Sequence, residues 1–262
     1  MNRLPSVIHI YCDAVNSSLN VRLLARYLGE MTGLDADLRG SLVLPGKSLA
    51  EEFARAKIID PAREEQNLNP LPAEIEYESR LLSTQKPSGL FYDGFCLQEI
   101  FRQLIPRQEH NLKHLHLIFT SRLFGTFEDN RYHARAAVFG FPSLISTTGV
   151  VEAPAKPREF YLKRQFGQDR AVLKEELKGR FIDYHDPRLT EVMKGYLMQA
   201  LFYHLTGDPF CEDKGCRLYN AHWQEELIFA QLGAGYEFCN HHQEILDQIN
   251  GTQIDRINAD HF

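Results

Sequence analysis

The spacing of apolar residues changes character along the chain, and those changes divide it into elements. Residues 6–12 (SVIHIYC) form an almost unbroken apolar run of strand length, which predicts a strand buried on both faces. A helical period follows over 20–31, with Leu23, Leu24, Tyr27 and Leu28 on one face. Residues 35–44 read as a second strand, and 48–58 as a helix opened by a Ser48 cap. The stretch 60–89 (DPAREEQNLNPLPAE and onward) is rich in Pro, Asn and Glu. It reads as an irregular insertion with one helical piece near 76–82. Residues 96–104 look helical, 114–120 (HLHLIFT) and 132–139 alternate as strands, and 144–151 (LISTTGVV) is β-branched and strand-like.

The second half turns helical. A long polar helix is expected over 157–178, and the fullest set of helix signals lies at 187–206. There Asp186 can cap the first turn, Pro187 suits the first helical position, and Gly207 can close the end in a left-handed turn. Leu189, Val192, Met193, Tyr196, Leu197, Ala200, Leu201 and Leu205 give it a wide apolar face, as a central core helix requires. The expectation is an α+β fold in one domain over 1–262, with strands mostly N-terminal and helices C-terminal.

The chain has 262 residues, enough for a substantial core, and a formal net charge of −6. That balance gives no general attraction to nucleic acid or anionic membrane. No apolar run approaches the roughly 20 residues that span a bilayer, and the N-terminus lacks a signal-peptide pattern, so a cytoplasmic location is expected. One local exception to the charge balance lies at 156–180, which carries eight Lys/Arg against four Asp/Glu, with Tyr161 and Phe166 interleaved.

Five cysteines are an odd number for a disulfide framework. Cys12 and Cys96 stand alone, whereas Cys211, Cys216 and Cys239 gather beside His241 and His242. Cys211-x4-Cys216 and Cys239-x2-His242 are short ligand pairs of the kind that let a tight turn offer zinc two donors at once. The alternative is three packed cysteines with solvated histidines. Polar, Gly-containing turns such as EDKG favour one structural Zn2+ held by Cys211, Cys216, Cys239 and His242, a closed set with no position for a reacting water. Either histidine of the pair could ligate, and His242 keeps the two-residue spacing.

These residues resemble the archaemetzincins. Members of that family carry H-E-x-x-H-x-x-G-x-x-H-C, a second Cys after four residues, a Met two positions further and a distal F-C-x-x-C. Here the segment is ALFYHLTGDPFC, followed by Cys216 and by Phe238-Cys239-Asn240-His241-His242, with His242 in place of the last Cys. The resemblance covers roughly the last 75 residues and extends more weakly toward the N-terminus. It implies a compact metzincin-like protease domain with a mixed sheet, a central helix and C-terminal helices stapled by a zinc knuckle at about 207–250. It also places the first metal His at Ala200, the general-base Glu at Leu201, the second His at His204, the third His at Phe210 and the Met-turn residue at Leu218. Zinc hydrolysis needs three ligands and a proton-accepting carboxylate, and one imidazole supplies neither.

The first functional expectation is therefore a zinc-binding, catalytically inactive metallopeptidase-like protein that binds an extended peptide or protein along a sheet edge near 144–151. A second is a peptidase with relocated ligands, drawn from His204, His222, Glu225 and Glu226, with His222 and Glu226 four apart on one helix. A third is a nucleic-acid-binding zinc protein using the basic segment. His114 and His116 share a strand face and could present two metal ligands, or line a polar face opposite Leu115 and Leu117. Cys12 and the Asp183, His185, Asp186 group fit structural roles better: a buried thiol and a helix cap.

Overall fold

The computed structural model describes residues 4–13, 17–42, 46–84 and 89–259, the stretch 252–259 by its backbone alone. Along the chain run β1 (Val7–Cys12), α1 (Val21–Thr32), β2 (Ala36–Gly40), α2 (Lys47–Arg55), α3 (Pro72–Thr84), β3 (Phe91–Asp93), α4 (Gly94–Leu104), β4 (His114–Thr120), β5 (Leu123–Glu128) and β6 (Arg131–Arg135). There follow β7 (Ala137–Val138), β8 (Ser143–Ser146), α5 (Thr147–Glu152), α6 (Arg158–Gln165), α7 (Arg170–Glu176), α8 (Leu189–Thr206), α9 (Gln224–Ile228) and α10 (Asn240–Ala259). A five-stranded sheet has the order β2-β1-β4-β8-β7, parallel except for β7. A three-stranded sheet has the order β3-β5-β6. Among the described residues every strand precedes residue 147, so the α+β class read from the sequence is the class the chain adopts.

Parallel strands are buried on both faces, and side-chain alternation sorts them into two cores. Ile8 and Ile10 of β1 and Leu115, Leu117 and Phe119 of β4 join the core built around α1, α8 and α10. Tyr11 and Ile118 face the other way, with α2 and α4. Helix α8 is buried around most of its circumference, from Leu189 to Leu205, which is why its sequence is apolar on more than one face. It ends at Gly207 with φ +87, a left-handed turn, as expected. Its start is later than the Asp186 cap predicts: Arg188 holds the N-cap position without a side-chain cap bond, and Asp186 instead accepts from the Arg188 N–H in the turn before the helix.

Several expected elements differ. Helix α2 starts at Lys47 after Gly46, so Ser48 sits inside the first turn rather than capping it. The strand expected over 35–44 ends at Gly40; residues 43 and 44 lie outside the described residues. The stretch read as an irregular insertion contains α3, whose Glu78 is 1% exposed and ion-paired at 2.9 Å to buried Arg122. Tyr92 joins both, donating to Glu78 and accepting from Arg122, so a polar network buried from water anchors this stretch. Its last residues, 85–88, are outside the described set.

The polar helix expected over 157–178 is two short helices broken near Gly167, where φ is +84. The β-branched run at 144–151 is strand only to Ser146. It then turns helical, because the Ser146 hydroxyl accepts from the Gly149 N–H and caps α5.

Candidate functional site

The C-terminal donors are brought together by two turns and a helix start. In the first turn the Asp213 N–H donates to Cys211 Sγ, at 3.4 Å, and the Gly215 N–H donates to the Asp213 carboxylate. The Tyr236 hydroxyl donates to the same carboxylate. It lies so close to Gly215 that a Cβ there would come within 2.6 Å of it, which explains the glycine. Cys239 precedes α10, and His242 lies in that helix's first turn.

Four potential ligand atoms, from Cys211, Cys216, Cys239 and His242, lie within 4.8 Å of one another. Cys211 Sγ is 3.9 Å from Cys239 Sγ. His242 Nδ1 is 3.1 Å from Cys239 Sγ and 3.7 Å from Cys216 Sγ. A tetrahedral zinc holds sulfur and nitrogen ligands about 3.5–3.8 Å apart, so the donor set fits that ion in type and spacing. His241, its neighbour, is exposed, whereas His242 is buried with its ring edge against Phe202. Burial and the neighbouring thiols raise the Cys211 thiol, and burial raises Cys216. A divalent cation would reverse both shifts by stabilising the thiolates.

The positions that the family resemblance marks as catalytic give no such convergence. Ala200 and Leu201 are wholly buried in the main core. His204 is half-buried, and its Nε2 meets the Leu112 carbonyl at 3.0 Å. Phe210 lies edge-on to Phe139, and Leu218 is buried.

The relocated set is not assembled either. Helix α9 begins at Gln224, so His222 is not on it, and Glu226 accepts from the His222 and Trp223 N–H groups as a helix cap. Glu225 pairs with Arg180. Among the described residues, His204, His222 and Glu226 form no metal-sized group.

Facing α8 is a cleft. Residues 134–137 and Phe139 form one wall, with β7 at the sheet edge. Tyr196 and Gln199 of α8 form another, and Phe210, Tyr219 and His222 close the end. Gln199 and Gln231 each spend their amide nitrogen on backbone carbonyls, while the buried Oε1 of each has no hydrogen-bond partner. Gly195 makes room for Gln231, since a Cβ there would come within 2.2 Å of its Oε1. The sheet edge expected at 144–151 is not an edge: β8 lies between β4 and β7, and among the described residues the edge strands of this sheet are β2 and β7.

The basic segment is largely neutralised. Lys156, Lys163, Arg170, Lys174, Lys178 and Arg180 all have carboxylate partners, several from outside the segment, such as Glu152, Asp183 and Glu225. Among the described residues no helix is long and apolar enough to cross a membrane.

His114 and His116 share a face opposite Leu115 and Leu117, as the alternation requires, but His116 is 1% exposed rather than solvated. Beside them lies His9, which the sequence reading did not single out. Burial first, then the neighbouring His9, pushes the His116 imidazole down to about 3, so it is neutral at ordinary pH.

Comparison with protein families matches residues 4–249 to the Probable metallopeptidase family (DUF6775). No curated protein matches the chain. Among solved structures it is similar to archaemetzincin from Methanopyrus kandleri, with 14% identity over 94% of this chain and 96% of that one and a TM-score of 0.48. It is also similar to a zinc-dependent peptidase from Methanocorpusculum labreanum, with 13% identity over 91% and 98% and a TM-score of 0.41.

Proposed function

The chain belongs to the Probable metallopeptidase family, and from that premise we propose that it is a zinc-stabilised member without hydrolytic activity, whose cleft binds an extended peptide or protein segment. The observation that carries this reading is the burial of Ala200 and Leu201. Where the family resemblance puts a metal ligand and a general base, α8 presents two core side chains that neither bind a cation nor take a proton.

The remaining pieces support binding without chemistry. Zinc in the Cys211, Cys216, Cys239 and His242 set would be fully coordinated and so would supply folding energy rather than an activated water. The cleft offers the free border of β7 for strand addition. It is also lined by Gln199 and Gln231, whose Oε1 atoms are unpaired and enclosed; the Gln199 amide, turned toward the cleft, would accept an N–H group from a bound backbone. Phe139, Phe210 and Tyr196 supply apolar surface for side chains.

The test uses the purified full-length chain with reduced, unfolded casein. We expect saturable binding with no new fragments. Replacing Gln199 with Leu should weaken binding by roughly five- to tenfold, the loss of one hydrogen bond in a buried site. Cleavage of casein that a chelator abolishes would overturn the proposal.

A further inference from the structure

Three imidazoles converge on the face of the five-stranded sheet turned away from α8. The parallel register of β1 and β4 pairs His9 with His116, and His114 is two residues earlier on the same face of β4. One nitrogen from each of the three lies within 4.8 Å of the others. His9 Nε2 and His114 Nδ1 are 2.9 Å apart, and the His9 and His116 rings stack with centroids 4.6 Å apart. His116 Nε2, in a side chain 1% exposed, has no hydrogen-bond partner, and the Glu109 carboxylate stands 3.8 Å from it. A buried polar atom left unpaired costs about 1–3 kcal/mol, so this arrangement favours a partner able to take the inward nitrogens together.

The surroundings are those of a ligand set held for an ion. His9 Nδ1 is 3.0 Å from Asp37 Oδ2, and His116 Nδ1 is 3.2 Å from the Tyr11 hydroxyl, so in both rings the outer nitrogen is engaged and Nε2 turns inward. Metal-bound histidines are commonly oriented in this way by an outer carboxylate or hydroxyl. Arg39 binds both oxygens of Glu109, at 2.7 and 2.9 Å, and also contacts Asp37. One guanidinium between two carboxylates leaves a net negative charge beside the imidazoles, which favours a cation. Phe141 packs edge-on against His116, and His114 is only half-buried, which leaves a side open for entry.

We infer that His9, His114 and His116 hold a divalent transition-metal ion of the zinc class, distinct from any ion at the cysteine cluster and on the other face of the sheet from the cleft. Imidazole nitrogen suits zinc, copper, nickel and iron and discriminates against magnesium and calcium. Three nitrogens leave a coordination position for water or for the carboxylate of Glu109.

The experiment measures metal per chain in full-length protein equilibrated with zinc and then dialysed, for wild type and for H114A and H114Q. Two ions per wild-type chain and one in a folded His114 variant are expected. Partial chelation followed by Co2+ should then fill the second site with weak d–d absorption only, because thiolate ligation alone would add intense charge-transfer bands. A single ion in the wild type, two ions retained in a folded His114 variant, or charge-transfer bands accompanying the second equivalent would each overturn the inference. The wild-type stoichiometry and cobalt spectrum decide the matter even if neither variant folds. Their outcome is independent of whether the cleft binds or cleaves peptides.

Discussion

The cysteine cluster and the histidine cluster have comparable donor spacings but come together in opposite ways. Cys211, Cys216, Cys239 and His242 lie on two turns and the first turn of α10, with α9 and the helical turn that continues it to Gly233 between the two pairs. His9, His114 and His116 lie on adjacent strands, fixed by the register of a sheet whose other face packs against α8. In the first case the donors sit on turns and a helix start that no sheet ladder fixes, although Cys216, Leu218 and Phe238 pack into the main core, so an ion there would supply folding energy to these segments. In the second, backbone hydrogen bonds already present the donors, so an ion would add to a fold that stands without it.

The sharpest way to break that contrast is to remove the thiols. Cys211→Ser/Cys216→Ser is expected to abolish zinc at that cluster and unfold the C-terminal part, because such a site contributes on the order of 10 kcal/mol, comparable to the whole stability of a domain. Circular dichroism and limited proteolysis would show it. A variant that melts like the wild type would mean that packing alone holds the turns.

The histidine cluster should behave as a ligand site. Zinc at about a hundredfold its dissociation constant is expected to add about 2.7 kcal/mol of stability, read as a thermal shift, and His114→Ala should remove that shift while leaving the fold intact.

A pH experiment separates both clusters from the rest of β1. Burial raises Asp13, just beyond the end of that strand, from 3.8 to about 6, against the pull of Arg122. Between those values the folded chain holds a proton that the unfolded chain has released, so this group's contribution to stability falls as pH rises from about 4 to 6 and stays low above. Asp13→Asn should therefore gain on the order of 2 kcal/mol at pH 7 and little at pH 4, measured by urea unfolding. An unchanged pH profile would show that the carboxylate is adequately satisfied by Thr120 and its other neighbours.

The smallest effect concerns the outer carboxylate of His9. Asp37→Ala should weaken metal binding at the histidine cluster by about tenfold without changing the number of ions bound, in competition with a chelating dye. Equal affinities would mean that the sheet alone orients the ring.

What could be read from the sequence follows from the same contrast. The cysteine and histidine spacing near the C-terminus is local, so the grouping was visible without a fold, and Gly207 marked the end of α8 because a left-handed C-terminal turn is local too; Asp186 lies in the turn before the helix rather than capping it. His9 went unremarked because its approach to His114 spans 105 positions and depends on which strands pair and in which register. His222 and Glu226 looked like neighbours on a helix because their spacing is helical, yet the helix starts after His222, with Glu226 as its cap. In the stretch 60–89 the helical piece expected near 76–82 is the C-terminal part of α3, and the Pro and Asn content before it hid the helix start at Pro72. Glu78 in that helix has meaning only beside Arg122, a partner 44 positions away.

The burial of α8 on nearly every side has a consequence for what its positions can accept. Placing a histidine at Ala200 and a glutamate at Leu201 would put an imidazole and a carboxylate where the present side chains have no solvent exposure. Each would cost several kcal/mol until a metal and its remaining ligands were also in place. Either substitution alone would therefore consume a large part of the net stability of a typical domain.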